Sequence, residues 1–264
     1  MSLSLLDKLK KNMATRFLLL FIPALIFFQS CKNEPEEKNP ATVNVVFKTT
    51  WQGENFVMEE VYVDAFENRV RIDKFDSYYA LLTLVKDDGS ELVLRDFLRL
   101  NHATEHKLAF VVPDGVYTRF KFGIGIPRDF NKDQDPAQYP SSSPLSVAGS
   151  QGMFWSWNTG YIFSKLEGKA DTTGTDGAAL LTPVAIHSGD DSSYRELQSS
   201  EFSLKMEAGI AKDIVIDIRM DKILGHGNTN GIDIATEAIT HTSTNPELAE
   251  KFMNNFKDAI VISQ

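Results

Sequence analysis

The 264-residue chain is predicted to be mainly β: an antiparallel β-sandwich with one long loop and a short C-terminal helix. Three observations predict it. Short runs of alternating apolar and polar residues recur along the chain, and that period of two places one face of each strand in a core. Gly, Asp and Pro turn signals separate the runs at regular intervals. One run near the end instead has apolar residues at helical spacing.

The elements follow in order. Val43, Val45 and Phe47 alternate with Asn44, Val46 and Lys48. Val61–Val63, Arg69–Ile72 and Tyr78–Val85 come next, and Asp88-Gly89 makes a tight hairpin turn before Glu91–Leu94. Lys107–Val112 precedes a second turn at Pro113-Asp114-Gly115, and Tyr117–Ile126 alternates again. The stretch Pro127–Gly152 holds four prolines and many polar residues, a length unusual for a loop without a function. Gly160–Leu166, Val184–Ser188, Glu201–Met206 and Lys212–Met220 read as later strands. Asn245 can cap a helix, Pro246 suits its first turn, Glu247 complements its dipole, and Leu248, Phe252 and Phe256 form one apolar stripe.

The N-terminus reads as a processing segment. Lys8, Lys10, Lys11 and Arg16 precede the apolar run Phe17–Phe28, too short for a stable span and suited to a signal peptide. The single cysteine, Cys31, follows at once, as the acylated residue of a lipoprotein does. The expected division is residues 1–30 as signal peptide, 31–40 as a polar, charged tether, and 41–264 as one sandwich domain. An outer-membrane lipoprotein facing the periplasm or the surface is the expected location. The net charge of −9 argues against nucleic acid and suits cations or basic partners. With one cysteine there are no disulfide staples and no thiolate cluster for a metal.

Five histidines are present. His102 and His106 fall in a polar hairpin, NHATEH, and His226 falls in a Gly-Asn loop where solvation is expected. His187 ends an apolar strand, and His241 precedes the helix cap. Neutral imidazole binds copper in either oxidation state, and two histidines can hold Cu(I) linearly. On spacing alone, a hydrogen-bonding role in the fold is the better reading for each of these two. The run Asp129–Asp135 has alternating oxygen side chains but lacks the Gly and Glu of an EF-hand, so a solvated acidic loop is expected. Neither a nucleophile elbow nor a phosphate loop is present, and no enzymatic activity is expected.

The run MFWSWNTGYIFSKL, Met153–Leu166, resembles the signature of the MbnP-like copper-binding proteins. The resemblance extends through Asn68–Lys86, Val112–Gly125, the HSG at His187–Gly189 and the THTSTNPELAEKFMNNF segment. It implies a copper-binding protein outside the cytoplasm, with His187 and His241 as metal ligands. It implies a diheme, MauG-like partner of the cytochrome c peroxidase type, which oxidises a tryptophan to kynurenine and so creates a ligand that intact indole cannot supply. It also implies that the long loop covers the entrance to the Trp block. Some relatives carry Trp-x-His where this chain has Trp155-Ser156-Trp157. Trp155 then matches the modified residue and Trp157 replaces a ligand, so both are candidates for oxidation. Two other readings stay open: a non-catalytic interaction module, and a glycan-binding sandwich with the tryptophans as stacking platforms.

Overall fold

Alternation drives the architecture. Val43, Val45 and Phe47 point into the core from the strand Thr42–Trp51 and are essentially inaccessible. The computed structural model describes residues 39–264, apart from 133, 156–159, 176 and 228–229. Cys31, the signal segment and Trp157 lie outside the described residues, as does all of the tether but 39 and 40.

Thr42–Trp51 is central to a five-stranded sheet. It pairs in parallel with Ala211–Arg219 and antiparallel with His106–Val111, and Ile260–Ser263 extends the sheet beyond Ala211–Arg219. The second sheet has nine strands and is organised by Arg69–Lys86. Together they make a mainly β sandwich with few helices, although two strand pairs are parallel and the sheets are therefore mixed.

Arg69–Lys86 is 18 residues long and does the work of the two strands expected over Arg69–Ile72 and Tyr78–Val85. Its first half pairs with Ser164–Asp171; its second half pairs with Glu91–Asn101 and Gly115–Ile124. A bulge, not a turn, interrupts the second half. Leu81 sits at φ +54°, and the register shifts between Leu82 and Thr83. A bulge leaves one residue unpaired and bends the strand locally, and pairing with both neighbours resumes beyond it.

Aromatic rings fill the space between the layers. Phe47 and Tyr79 lie 4.7 Å apart, and Phe75 meets Phe256 of the helix at 5.3 Å. The helix Pro246–Asp258 begins as its sequence predicts. The Asn245 side chain accepts from the Leu248 amide, and Leu248, Phe252 and Phe256 are buried together with Ala249 and Met253. Burying side chains of that size contributes about 1.5–3 kcal/mol each.

Two histidine expectations are corrected here. His102 is only 2% exposed, not part of a polar hairpin surface. Its Nε2 lies 3.2 Å from the Tyr79 hydroxyl, its Nδ1 lies 3.4 Å from Thr49 Oγ1, and its ring lies against Phe75. His226 is half-buried, with Nε2 2.9 Å from the Val63 carbonyl and its ring edge-on to Trp51. Of the Asp129–Asp135 run, Asp129–Asn131 fall in a short helical turn, Arg128–Asn131, and Asp133 lies outside the described residues. Asp135 caps a short helical turn at Pro136–Gln138, and Asn131 turns inward.

Candidate functional site

One row of side chains crosses five strands of the larger sheet. Asn101 is opposite Asp76, Asp76 opposite Lys165, Lys165 opposite His187, and His187 opposite His241. Directly paired residues on adjacent strands share a face of the sheet. The 54-residue separation of the histidines in sequence is thus closed by the parallel pairing of Thr182–Ser188 with Ile239–His241. Their ring centroids are 4.8 Å apart, edge to face.

Glu167 holds the row from one side. Two residues beyond Lys165 on the same strand, it falls on the same face. Its Oε1 takes His187 Nε2 at 2.9 Å and Lys165 Nζ at 3.2 Å. Asp76, next to Asn101 at the far end, is buried and is surrounded by Asn101, Arg99 and Lys74 at 2.9–3.4 Å.

Burial and the Lys165 cation push the His187 imidazole down to about 4, with His241 adding to them and Glu167 opposing them. His187 is therefore neutral at physiological pH and carries one bare ring nitrogen. Burial raises the Glu167 carboxyl, but Lys165 and His187 more than offset it, and the group lies below its ordinary value. We take Glu167 as ionised by Lys165, with His187 donating to it as a neutral imidazole.

The ends of the two histidine strands are fastened by Thr242. Its hydroxyl donates to the His187 carbonyl at 3.1 Å and accepts from the Gly189 amide at 3.0 Å. Thr242 adopts φ +59°, a conformation that costs a β-branched residue energy and persists only under tertiary constraint. On the other side, the Thr240 hydroxyl donates to the Asn245 carbonyl at 2.7 Å, so the helix cap also fixes the strand bearing His241. Ser188, next to His187, is fully buried and donates its hydroxyl to the Ala249 carbonyl of the helix. That contact gives it a structural task, not the role of a nucleophile.

The Trp block enters the sheet beside His187. Phe154–Trp155 and Gly160–Tyr161 form a small antiparallel pair, and the Phe163 amide donates to the Ser188 carbonyl at 2.6 Å. Gly189 packs directly on this segment: a Cβ there would lie 2.2 Å from the Tyr161 carbonyl oxygen. Trp155 is 5% exposed, and Trp157 lies outside the described residues. The long loop is tied down over this region. The Tyr161 hydroxyl donates to the Leu145 carbonyl, the Tyr78 hydroxyl to the Pro144 carbonyl, and Asn131 Oδ1 accepts from the Tyr161 amide. Arg99 adds a bond to the Gly149 carbonyl.

The sequence profile of the MbnP family matches residues 40–245. The chain belongs to the MbnP family. Among solved structures, MbnP from Methylosinus trichosporium is similar, at 12% identity over 69% of this chain and 76% of that one, with a TM-score of 0.48. No curated protein matches the chain. Membership of the MbnP family suggests a copper-related periplasmic protein.

Two imidazoles 4.8 Å apart are a donor set suited to copper. Among the described residues, no group of three or more His, Cys, Asp or Glu side chains is arranged to hold a metal. The pair fits an ion satisfied by two nitrogens, or one completed by a further donor. Sequence reasoning did not find Glu167, Lys165 or Thr242. The spacing Lys165-x-Glu167 was a usable signal, since it puts opposite charges on one face of a strand. Nothing in the sequence showed that His187 would be their neighbour.

Proposed function

We propose that this chain is a lipid-anchored, extracytoplasmic copper-binding protein that carries or hands on the metal. His187 and His241 are its nitrogen donors, and Trp155 or Trp157 is the target of a diheme, MauG-like oxidase. The observation that carries the reading is the 4.8 Å approach of two imidazoles, one of them held neutral by its surroundings. A neutral imidazole offers a lone pair without first losing a proton. With dioxygen, or peroxide at the same oxidation level, as the oxidant and water for the hydrolysis, conversion of a tryptophan to kynurenine would open the indole, add one oxygen net and release one carbon as formate. The aromatic amine and ketone so formed are donors that intact indole does not offer.

The burial of Trp155 counts against a glycan-stacking platform, which needs an open indole face. An interaction module without metal remains the alternative to be tested. Protein expressed with and without a diheme oxidase should differ in intact mass and in near-ultraviolet absorbance, and the modified form should bind copper more tightly. Equal copper binding in both forms, and in Trp155→Phe and Trp157→Phe, would separate the tryptophan chemistry from the metal. For the anchor, Cys31→Ser should release the protein from membranes; retention would reject acylation at that residue.

A further inference from the structure

We infer that Glu167, clamped by Lys165, is a positioning residue that fixes the tautomer of His187 with the proton on Nε2, and that Nδ1 is the atom His187 presents to a metal. This inference rests on the copper reading only for its last clause. Its first clause concerns the metal-free protein.

An ionised carboxylate is an acceptor alone. The ring nitrogen that faces Glu167 Oε1 at 2.9 Å must therefore be the protonated one. In a neutral imidazole the other nitrogen, Nδ1, then holds the lone pair, and it makes no hydrogen bond with any described residue. Lys165 prevents Glu167 from turning away, because its ammonium occupies the same oxygen at 3.2 Å and is only 17% exposed at the side chain. The strand fixes the rest. Lys165 and His187 are paired across the sheet, and a register shift between Glu167 and Gly168 marks a local irregularity just past the carboxylate. The same arrangement, a carboxylate on the distal nitrogen, orients ligating histidines at metal centres and raises their basicity.

The direct experiment is nitrogen-15 NMR of the His187 ring in metal-free protein, where protonated and bare ring nitrogens have well-separated shifts. The wild type should show a protonated Nε2 and a bare Nδ1. Glu167→Leu should shift His187 toward a mixture of tautomers and weaken copper binding about 10–100-fold, in line with other metal sites that lose this partner. Glu167→Gln, which keeps an acceptor oxygen, should restore much of both. Because the wild-type spectrum alone decides the tautomer, the test stands even if Glu167→Leu does not fold.

A proton on Nδ1 in the wild type would overturn the inference. So would a Glu167→Leu protein that loses copper with its tautomer unchanged, since that result makes Glu167 a ligand and not an orienting group. If the tautomer responds as expected but neither protein takes copper, the positioning role stands and the copper reading fails.

Discussion

Thr242 is bonded through one hydroxyl to both sides of the residue pair His187 and Gly189, although 53 residues or more separate them in sequence. The hydroxyl is buried, donating to one carbonyl and accepting from one amide, at the point where the two histidine strands end. Thr242→Val keeps the shape and removes the hydroxyl, leaving a buried amide and a buried carbonyl without that partner. The expected cost is about 1–3 kcal/mol in urea unfolding, with weaker copper binding as the histidine strands loosen. Unchanged stability would show that the two strand ends hold together without it.

Gly189 carries a second prediction. Its neighbour is the Tyr161–Phe163 backbone, and a Cβ would meet atoms at 2.2–2.9 Å, all of them main chain. Backbone cannot give way as a flexible side chain can. Gly189→Ala should therefore cost about 3 kcal/mol or more and disturb Trp155 fluorescence. A variant with wild-type stability and emission would mean that the Trp hairpin does not sit against this glycine.

Acid stability follows from two buried imidazoles. Burial, the Lys165 cation and His241 lower His187 to about 4 against the pull of Glu167, and burial, with His106 adding, lowers His102 to about 3. In the unfolded chain a histidine titrates near about 6.5. Below that value the unfolded state takes up protons that the folded state refuses, so the contribution is present above about pH 6.5 and is lost as pH falls toward the two folded values. Urea midpoints at pH 7 and pH 5 should differ, and His102→Gln should reduce the difference. Equal midpoints in the wild type would contradict the neutral, buried assignment.

Much of the fold was legible, for a physical reason. Strand alternation and turn residues are local signals, so Val43–Phe47, the Asp88-Gly89 turn and the capped helix with its Leu248, Phe252 and Phe256 stripe could be read directly. The bulge at Leu81 could not, because it is a shift in register against Glu91–Asn101 and Gly115–Ile124, which no local pattern encodes. His102 was misplaced for a related reason. Its polar surroundings in sequence say nothing of Tyr79 and Phe75, which reach it from another strand. At the site, the His187–His241 pair came from family resemblance. Glu167, Lys165 and Thr242 needed the strand register, and register is a long-range property.

The central claim is tested most directly by copper competition titration, under reducing conditions with a chromophoric chelator, of the wild type, His187→Ala, His241→Ala and the double variant. Thermal unfolding should accompany it to show that each protein is folded. The account predicts that each single variant binds at least about tenfold more weakly, a loss of about 1.4 kcal/mol or more, and that the double variant gives the chelator all of its copper. A folded double variant that holds copper as tightly as the wild type would contradict the assignment of His187 and His241 as the metal donors.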